Sequence, residues 1–339
     1  MWSQTEASIA ELRRRANAGD AVAQVELGRA YEDGMGVEQS DTKAVELFRK
    51  AAEQGNAQAQ NSLGVMYALG RGVERNREEA VRWYRKAAKN GLSEGFYNVA
   101  ISYFNGEGVN EDLALAYAYM TIAESRGNPQ ASQALQHIRD ELHDRVEHAK
   151  FRLAVIYEKG DEVPQDYPRA LKLYRELAAT GLKFGFAHQQ AEFKICEFYA
   201  LGRGVPQDYT EAKFHCKRVA GEGHRLAKVT LGRMAAKGLG SEVNLKEAEE
   251  WFRSAAAAGD LQGVLELGNL KLQIGSHDAV QEAYFWFYVA GMQGIKEADA
   301  PLQKAAAQLS TKEQDSVAKA YQRWLRLPEE GKKKKIKFR

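Results

Sequence analysis

Apolar residues and glycines recur along this chain with a period of 36 residues. Three consecutive segments, 20–55, 56–91 and 92–127, align with one another without gaps. The pattern returns in four further segments, which are 147–181, 189–223, 224–259 and 260–294. Self-similarity at a fixed period is the mark of a repeat architecture, so we number these segments as copies one to seven.

Each copy predicts a pair of helices. In copy two, Leu63 and Met66 recur at helical spacing, and the glycines of segment 70–72 then interrupt the pattern. Asn76 provides an N-cap for a second helix, which ends at Gly91, a residue that can adopt the left-handed conformation. One pair cannot bury its apolar stripe alone, whereas stacked pairs can. The pattern therefore predicts an α-solenoid.

The repeated motif also carries a family resemblance. In copy two it consists of Leu63, Gly64, Met66, Tyr67, Gly70, Gly72, Val73, Ala80, Trp83, Tyr84, Ala87, Ala88 and Gly91. This motif resembles the Sel1-like repeat, a relative of the tetratricopeptide repeat with a longer, two-glycine turn. The resemblance implies an all-α fold, a right-handed α/α superhelical solenoid of about seven helix-pair repeats. It also implies an adaptor that holds other proteins, and no reaction.

Copies three and four are separated by an insertion. Apolar residues continue across it at helical spacing, as at Leu135, Ile138 and Leu142, without an intervening glycine or proline. We therefore predict one long connecting helix over 128–159 that leads into copy four, with a break near Asp144 as the alternative. The remaining boundaries are a capping helix at 1–19, copies one to three at 20–127, copies four to seven at 160–294, capping helices at 295–327 and a basic flexible tail at 328–339.

The first helix of each copy is expected to line a concave groove, as it does in the related tetratricopeptide fold. The positions that the motif leaves variable hold aromatic residues in copies three to five and charged residues on either side. Such a composition is typical of protein-binding surfaces. The predicted partner-binding residues are Arg29, Glu32, Tyr97, Ile101, Phe104, Phe151, Phe193, Glu197 and Arg233. In the alternative interpretation, tight curvature buries the rings between adjacent helices.

A second candidate contact lies in the loop before copy five. Phe184 and Phe186 flank a glycine there, which is unusual for a solvated connection. The two rings either form a lip that contacts the partner or fold back as a plug over the neighbouring helix pair.

The last residues of the chain are rich in positive charge, although the chain as a whole is nearly neutral. The chain has 48 Lys and Arg against 46 Asp and Glu, a net charge of +2, which gives no general attraction to nucleic acid. The tail nevertheless concentrates six cations, Lys332, Lys333, Lys334, Lys335, Lys337 and Arg339. Association with nucleic acid or an anionic membrane through this tail is therefore the alternative function. No apolar run is long enough to span a membrane and no secretory leader is evident, so we expect a cytoplasmic protein unless a leader was removed.

Signals for catalysis and metal binding are weak. Segment 91–95 matches Gly-x-Ser-x-Gly, but Ser93 falls at a junction between two helices, whereas a nucleophile elbow requires a strand. We expect no catalytic, cofactor-binding or metal-binding residues. Cys196 and Cys216 replace the glycine and the aromatic residue that face each other in other copies. Two buried thiols are the expected state, with a disulfide as the alternative.

These observations favour a non-catalytic scaffold, a monomer or weak oligomer, that binds another protein or a peptide in its groove. A regulatory role and an effector-neutralising, immunity-type role are narrower hypotheses within this class. Nucleic acid is an unfavoured partner because the helix-one positions mix arginine with glutamate.

Overall fold

The computed structural model describes residues 2–161, 163–181 and 185–332, and within these ranges it contains helices and turns but no strand. The helices are α1 (Trp2–Asn17), α2 (Ala21–Asp33), α3 (Asp41–Glu53), α4 (Ala57–Leu69), α5 (Arg77–Lys89), α6 (Ser93–Asn105), α7 (Leu113–Ser125), α8 (Ala131–Leu142), α9 (Val146–Lys159), α10 (Tyr167–Ala179), α11 (Phe186–Leu201), α12 (Tyr209–Gly221), α13 (Arg225–Lys237), α14 (Leu245–Ala257), α15 (Leu261–Ile274), α16 (His277–Met292), α17 (Asp299–Ala306), α18 (Thr311–Leu325) and α19 (Glu329–Lys332). They form two compact units that divide near residue 180. Unit one contains α1 to α10 and unit two contains α11 to α19.

The predicted all-α repeat architecture is confirmed. The seven copies correspond to the helix pairs α2/α3, α4/α5, α6/α7, α9/α10, α11/α12, α13/α14 and α15/α16. Within each pair the two helices pack on each other, and within each unit the pairs stack on their sequence neighbours. This is the nearest-neighbour packing of a solenoid.

Local signals set the ends of these helices. Gly70 ends α4 with φ at 72°, and its N–H donates to the carbonyl of Met66. Asn76 then begins α5, because its side-chain oxygen accepts from the backbone N–H of Glu79 at 2.9 Å. Both boundaries agree with the sequence prediction. The reciprocal capping box is present at the start of α18, where Ser310 and Glu313 bond to each other.

The two helices of a copy meet where a small residue faces a large one, a contact that we call the seam. A Cβ atom added to Gly64 would lie 2.6 Å from the ring of Tyr84, and one added to Gly28 would lie 2.6 Å from the ring of Phe48. Any larger residue on the first helix would therefore displace the ring or separate the helices. Copies six and seven repeat this arrangement with their own glycines and phenylalanines.

Copy five has a different seam. Cys196 and Cys216 are joined by a disulfide, so the expectation of two free thiols is wrong. Their Cα atoms lie 5.4 Å apart, within the usual range for a disulfide. The two residues bond because the seam places these repeat positions opposite each other.

The single long helix over 128–159 is also wrong, and the alternative break near Asp144 is confirmed. α8 ends at Leu142, a 3-10 turn occupies His143–Arg145, and α9 begins at Val146. Both α8 and α9 pack against α7. One straight helix over 129–159 would be about 45 Å long, which is more than twice the length of the 13-residue α7. Only a break in the middle allows both halves to pack against α7.

The chain after copy seven forms an aromatic cap. Trp324 of α18 contacts Trp286 of α16 with ring centroids 5.7 Å apart, and both rings are buried. The predicted flexible tail needs a correction at its start, since residues Glu329–Lys332 form a helical turn after Pro328, whose carbonyl accepts from the N–H of Lys332. The ammonium of Lys332 lies 4.9 Å from the Trp324 ring. The other tail cations, Lys333, Lys334, Lys335, Lys337 and Arg339, lie outside the described residues.

We expect the start of α18 to lose stability in acid. The side chain and backbone of Ser310, together with His277, donate to the Glu313 carboxylate and lower its pKa to about 2. Because this folded pKa lies below the ordinary value, the stabilisation is complete above about pH 4.5 and is lost as the pH falls towards about 2. Protection factors of the α18 amides should therefore fall across this window, and Glu313→Gln should remove that dependence. An unchanged dependence in the variant would contradict this assignment.

Candidate interaction face on the first helices

The solvent-exposed side of the first helix differs from the side that the sequence suggested. With the first residue of the repeat helix as position one (Ala21 in copy one, Gln189 in copy five), exposure concentrates at positions two, six, nine and thirteen. In copy one these are Val22, Glu26, Arg29 and Asp33, all exposed. Their spacing of four, three and four residues forms one stripe along the helix, which we call the free stripe.

Position five, which holds several of the predicted groove aromatics, is buried in four of the seven copies and half-buried in the other three. Val25, Asn61 and Val229 are buried there, whereas Tyr97 and Phe151 are half-buried. The ring of Phe151 packs in its own copy, 5.5 Å from that of Tyr174. Where it is buried, position five therefore contributes to the stacking of helices, whereas Tyr97 in copy three stays partly accessible.

Phe193, which was predicted to line the groove, is buried. Only 6% of this residue is exposed, and its ring lies 4.5 Å from the His224 ring in unit two. The prediction that Phe193 lines an exposed groove is wrong, and the alternative of burial between helices holds for it. The packing of copy five against copy six causes this burial, because His224 caps the first helix of copy six through its Nδ1 atom.

Most charged residues predicted beside the groove are paired within the chain. Glu32 lies 3.0 Å from Arg71. Glu197 lies 3.0 Å from Lys194, and Arg233 lies 2.6 Å from Glu266. Arg29 is exposed. These pairs offer little net charge to a partner, since each cation is already matched by an anion.

Apolar residues on the free stripe and beside it cluster in copies two and three. The set, which we call the apolar face, comprises Val65, Leu69, Tyr97, Ile101 and Phe104. Leu69 is 59% exposed and the other four are half-buried. The helices that carry them, α4 and α6, are neighbours, because the Asn98 amide donates to the Asn61 side-chain oxygen at 2.8 Å. The inserted helix α8 borders this face, since the His137 ring lies 5.3 Å from that of Phe104.

At position nine the apolar character stops at the end of unit one. At position nine, copies two to four of unit one have Val65, Ile101 and Val155, whereas copies five to seven of unit two have Glu197, Arg233 and Asn269. The apolar character at position nine is therefore confined to unit one, although Leu201 in unit two is exposed at the position equivalent to Leu69. Leu69 was missed as a candidate because the predicted groove was assigned to positions five, nine and twelve, whereas Leu69 occupies position thirteen. Val65 does occupy position nine, but it was passed over because the prediction centred on aromatic and charged residues. The stripe spacing of position two, six, nine and thirteen would have pointed to Leu69.

Of the two phenylalanines in the loop before copy five, the structure describes only Phe186. Phe186 is 65% exposed at the start of α11, so it does not form a plug over a helix pair. Phe184 lies outside the described residues.

The described residues show no candidate metal site, nucleophile elbow or membrane-spanning helix. They bring together no group of three or more His, Cys, Asp or Glu side chains that could hold a metal ion. Ser93 is the first residue of α6, at a helix-to-helix junction. None of the helices that the structure describes has both the length and the apolar character needed to cross a membrane.

Comparison with known proteins identifies the repeat. The family model described as Sel1 repeat matches six segments, which are residues 21–56, 57–92, 94–128, 147–181, 189–224 and 226–260. Copy seven is not among the matched segments, although α15 and α16 form the same kind of helix pair. Comparison with curated proteins gives no significant match.

Solved structures of Sel1 repeat proteins resemble the chain at low identity. A protective antigen of uropathogenic Escherichia coli strains, which displays an SLR fold, is 29% identical, with a TM-score of 0.47, over 91% of this chain and 61% of that chain. This chain thus spans less than two thirds of the length of that antigen. A Sel1 repeat protein from Oxalobacter formigenes is 27% identical, with a TM-score of 0.36, over 74% of this chain and 93% of that one.

Proposed function

The chain belongs to the Sel1 repeat family, and from this premise we propose that it is a non-catalytic scaffold that binds a partner protein through the apolar face of copies two and three. Sel1 repeats generally mediate protein–protein interactions, which sets the class of function. The observation that supports this location is the group of accessible apolar residues, led by Leu69, on two adjacent first helices.

The chemistry of the face defines the segment that it would bind. Val65 and Ile101 occupy the same repeat position on the neighbouring helices α4 and α6, and both are half-buried, so each contributes apolar surface to this face. Phe104 and Tyr97 add aromatic groups of the kind that contribute most to binding at protein interfaces. A segment with two or three apolar side chains on one side would lose water-exposed apolar area on this face, which favours binding by about 25 cal/mol for each Å² buried.

We expect Ile101→Asp to weaken the binding of such a segment at least about tenfold, because the carboxylate would be desolvated against apolar side chains of the partner. The probe is a peptide selected from a random library on the immobilised full chain, and its affinity is measured by fluorescence anisotropy. Leu69→Asp should have a similar effect.

Asn269→Asp is the matched control, because Asn269 occupies the same repeat position in copy seven, outside the apolar face. This variant should bind the peptide as the unaltered chain does. Circular dichroism should show equal helix content in all variants. Equal affinity of the Ile101 and Asn269 variants would refute the apolar face as the binding site.

A further inference from the structure

Copy five departs from the other copies at the seam between its helices. In the six other copies a glycine or alanine on the first helix faces a phenylalanine, tyrosine or methionine on the second, as in Gly28 with Phe48 and Gly232 with Phe252. Copy five has Cys196 and Cys216 at these two places, joined by a disulfide. A covalent bond therefore stands where every other copy relies on the packing of a large side chain.

The disulfide is sealed from solvent. Both cysteines are 0% exposed and belong to a buried cluster that includes Ala212, Val219 and Leu231. A thiol reagent cannot reach the sulfur atoms while α11 and α12 remain packed. Cleavage of the bond thus requires a local opening of copy five.

A buried ion pair lies beside the disulfide on the same two helices. Glu192, four residues before Cys196 on α11, is fully buried. Its carboxylate lies 2.6 Å from His215 Nδ1 and 2.5 Å from the guanidinium of Arg218, both on α12. These contacts would hold the two helices near each other when the sulfur atoms are not bonded, so the cysteines remain placed to bond again.

Without its bond, the seam of copy five would contain two small side chains and no ring. Loss of a large side chain from a packed interface removes contacts that the surroundings replace only in part. The constraint that the bond places on the open state of the 20-residue loop between the cysteines would also be lost. Copy five should therefore open more often when it is reduced.

We propose that the Cys196–Cys216 disulfide is a redox-controlled lock that sets the local stability of copy five. A low-molecular-weight thiol of the glutathione class opens the lock after local opening of the copy. The first thiolate attacks one sulfur atom, forms a mixed disulfide and releases the other cysteine as a thiolate. A second thiolate attacks the mixed disulfide and releases the first cysteine. Two electrons pass to the chain, its thiolates take up two protons, and the small thiol leaves as its disulfide.

Copy five therefore has two states, one with the disulfide formed and one with it reduced. In an oxidising environment α11 and α12 are held by the bond, as in the described structure. In a reducing environment the same helices are held by the Glu192 ion pair and the remaining apolar contacts alone, so their amides should exchange faster. The lock belongs to copy five in unit two and works independently of the apolar face in unit one.

Hydrogen exchange of the full chain tests this proposal. The chain is purified without reductant and compared before and after treatment with dithiothreitol, with intact mass used to confirm the gain of two hydrogen atoms. We expect amide exchange in α11 and α12 to become about tenfold to 100-fold faster after reduction. Exchange in α2 to α5 of unit one should stay the same.

The double substitution Cys196→Gly with Cys216→Phe is the matched control, since it restores the seam of copies one and six. Its exchange in α11 and α12 should be slow and unaffected by dithiothreitol, whereas Cys196→Ala with Cys216→Ala should exchange fast under both conditions. Unchanged exchange in a wild-type chain whose mass shows full reduction would overturn the proposal. Two titratable thiols in the chain purified without reductant would overturn it as well. The wild-type comparison decides the matter even if the Gly/Phe variant does not fold.

Discussion

Replacement of Glu282 with glutamine is expected to lower the free energy of unfolding of copies six and seven by about 3–5 kcal/mol. Glu282 is 1% exposed and lies 3.0 Å from both Arg253 and Lys271, which are each 6% exposed. Glu249 completes the group at 2.7 Å from Arg253 and 2.8 Å from Lys271. Two carboxylates thus face two buried cations, and Glu282→Gln removes the more deeply buried of the two carboxylates, so the negative charge opposite these cations is halved in a poorly solvated place.

The origin of this charged group lies in the repeat pattern. In unit one, an arginine on the second helix of one copy contacts a tyrosine on the first helix of the next, 18 residues later, as in Arg49 with Tyr67 and Arg85 with Tyr103. Arg253 occupies the arginine position in copy six, but the residue 18 positions later is Lys271. Two cations thus meet where copies one and two each pair an arginine with the tyrosine of the next copy, so carboxylates are required to balance the charge.

The ionisation of Glu249 supports this account. Burial alone would raise its pKa, but hydrogen bonds from Lys271 and Arg253 outweigh burial and hold the pKa below its ordinary value. The carboxylate therefore stays charged at neutral pH and shares in the compensation of both cations.

Hydrogen exchange of α14 to α16, with denaturant unfolding of the full chain, measures the effect of Glu282→Gln. Glu266→Gln is the matched control, because Glu266 pairs with Arg233 at the surface and should lose at most about 1 kcal/mol. Adding Lys271→Tyr to Glu282→Gln should recover much of the loss, since it removes the second cation and restores the tyrosine of the other copies. Equal losses from Glu282→Gln and Glu266→Gln would show that the buried group does not stabilise these copies.

Local signals made most of the fold predictable. The turns depend on glycines that adopt positive φ and on N-caps such as Asn76, and each of these acts within a few residues of its own position. The helix pairs and their stacking therefore followed from one copy and its repetition. The exposed side of the first helices could not be predicted in the same way. The packing of the neighbouring copies decides which side of a helix remains in contact with solvent.

Tertiary packing explains why the continuous helix over 128–159 and the exposed Phe193 were predicted wrongly. The break at His143 contains no glycine or proline, and this residue adopts φ of 49°, a region that residues other than glycine seldom occupy. Apolar residues continue in helical register on both sides of the break, at Leu142 and Ala149, so periodicity alone could not reveal it. The burial of Phe193 depends on His224, 31 residues later, and no local pattern connects the two.

The turn between the helices of a copy also joins that copy to the one before it. Gly108, the second glycine of the turn in copy three, has φ of 73° and approaches the first turn of α5 so closely that an added Cβ would overlap the carbonyl of Arg77. Gly72 approaches the carbonyl of Asp41 at the start of α3 in the same way. Beside these contacts, Glu107 lies 3.1 Å from Arg77, and Arg71 lies 2.7 Å from Asp41.

Gly108→Ala should therefore destabilise the contact between copies two and three by about 2–5 kcal/mol. About 1–2 kcal/mol comes from placing an alanine at positive φ, and about 1–3 kcal/mol from forcing two backbones apart. Gly55→Ala separates the two effects, because Gly55 has φ of 89° but no atom within 4 Å of an added Cβ, so only the first term applies. Denaturant unfolding measures both variants, with amide exchange in α5 and α6 for Gly108→Ala and in α3 and α4 for Gly55→Ala. If the two variants were equally destabilised, the second glycine would serve the turn alone, and the copies would be joined by their helices without help from the turn.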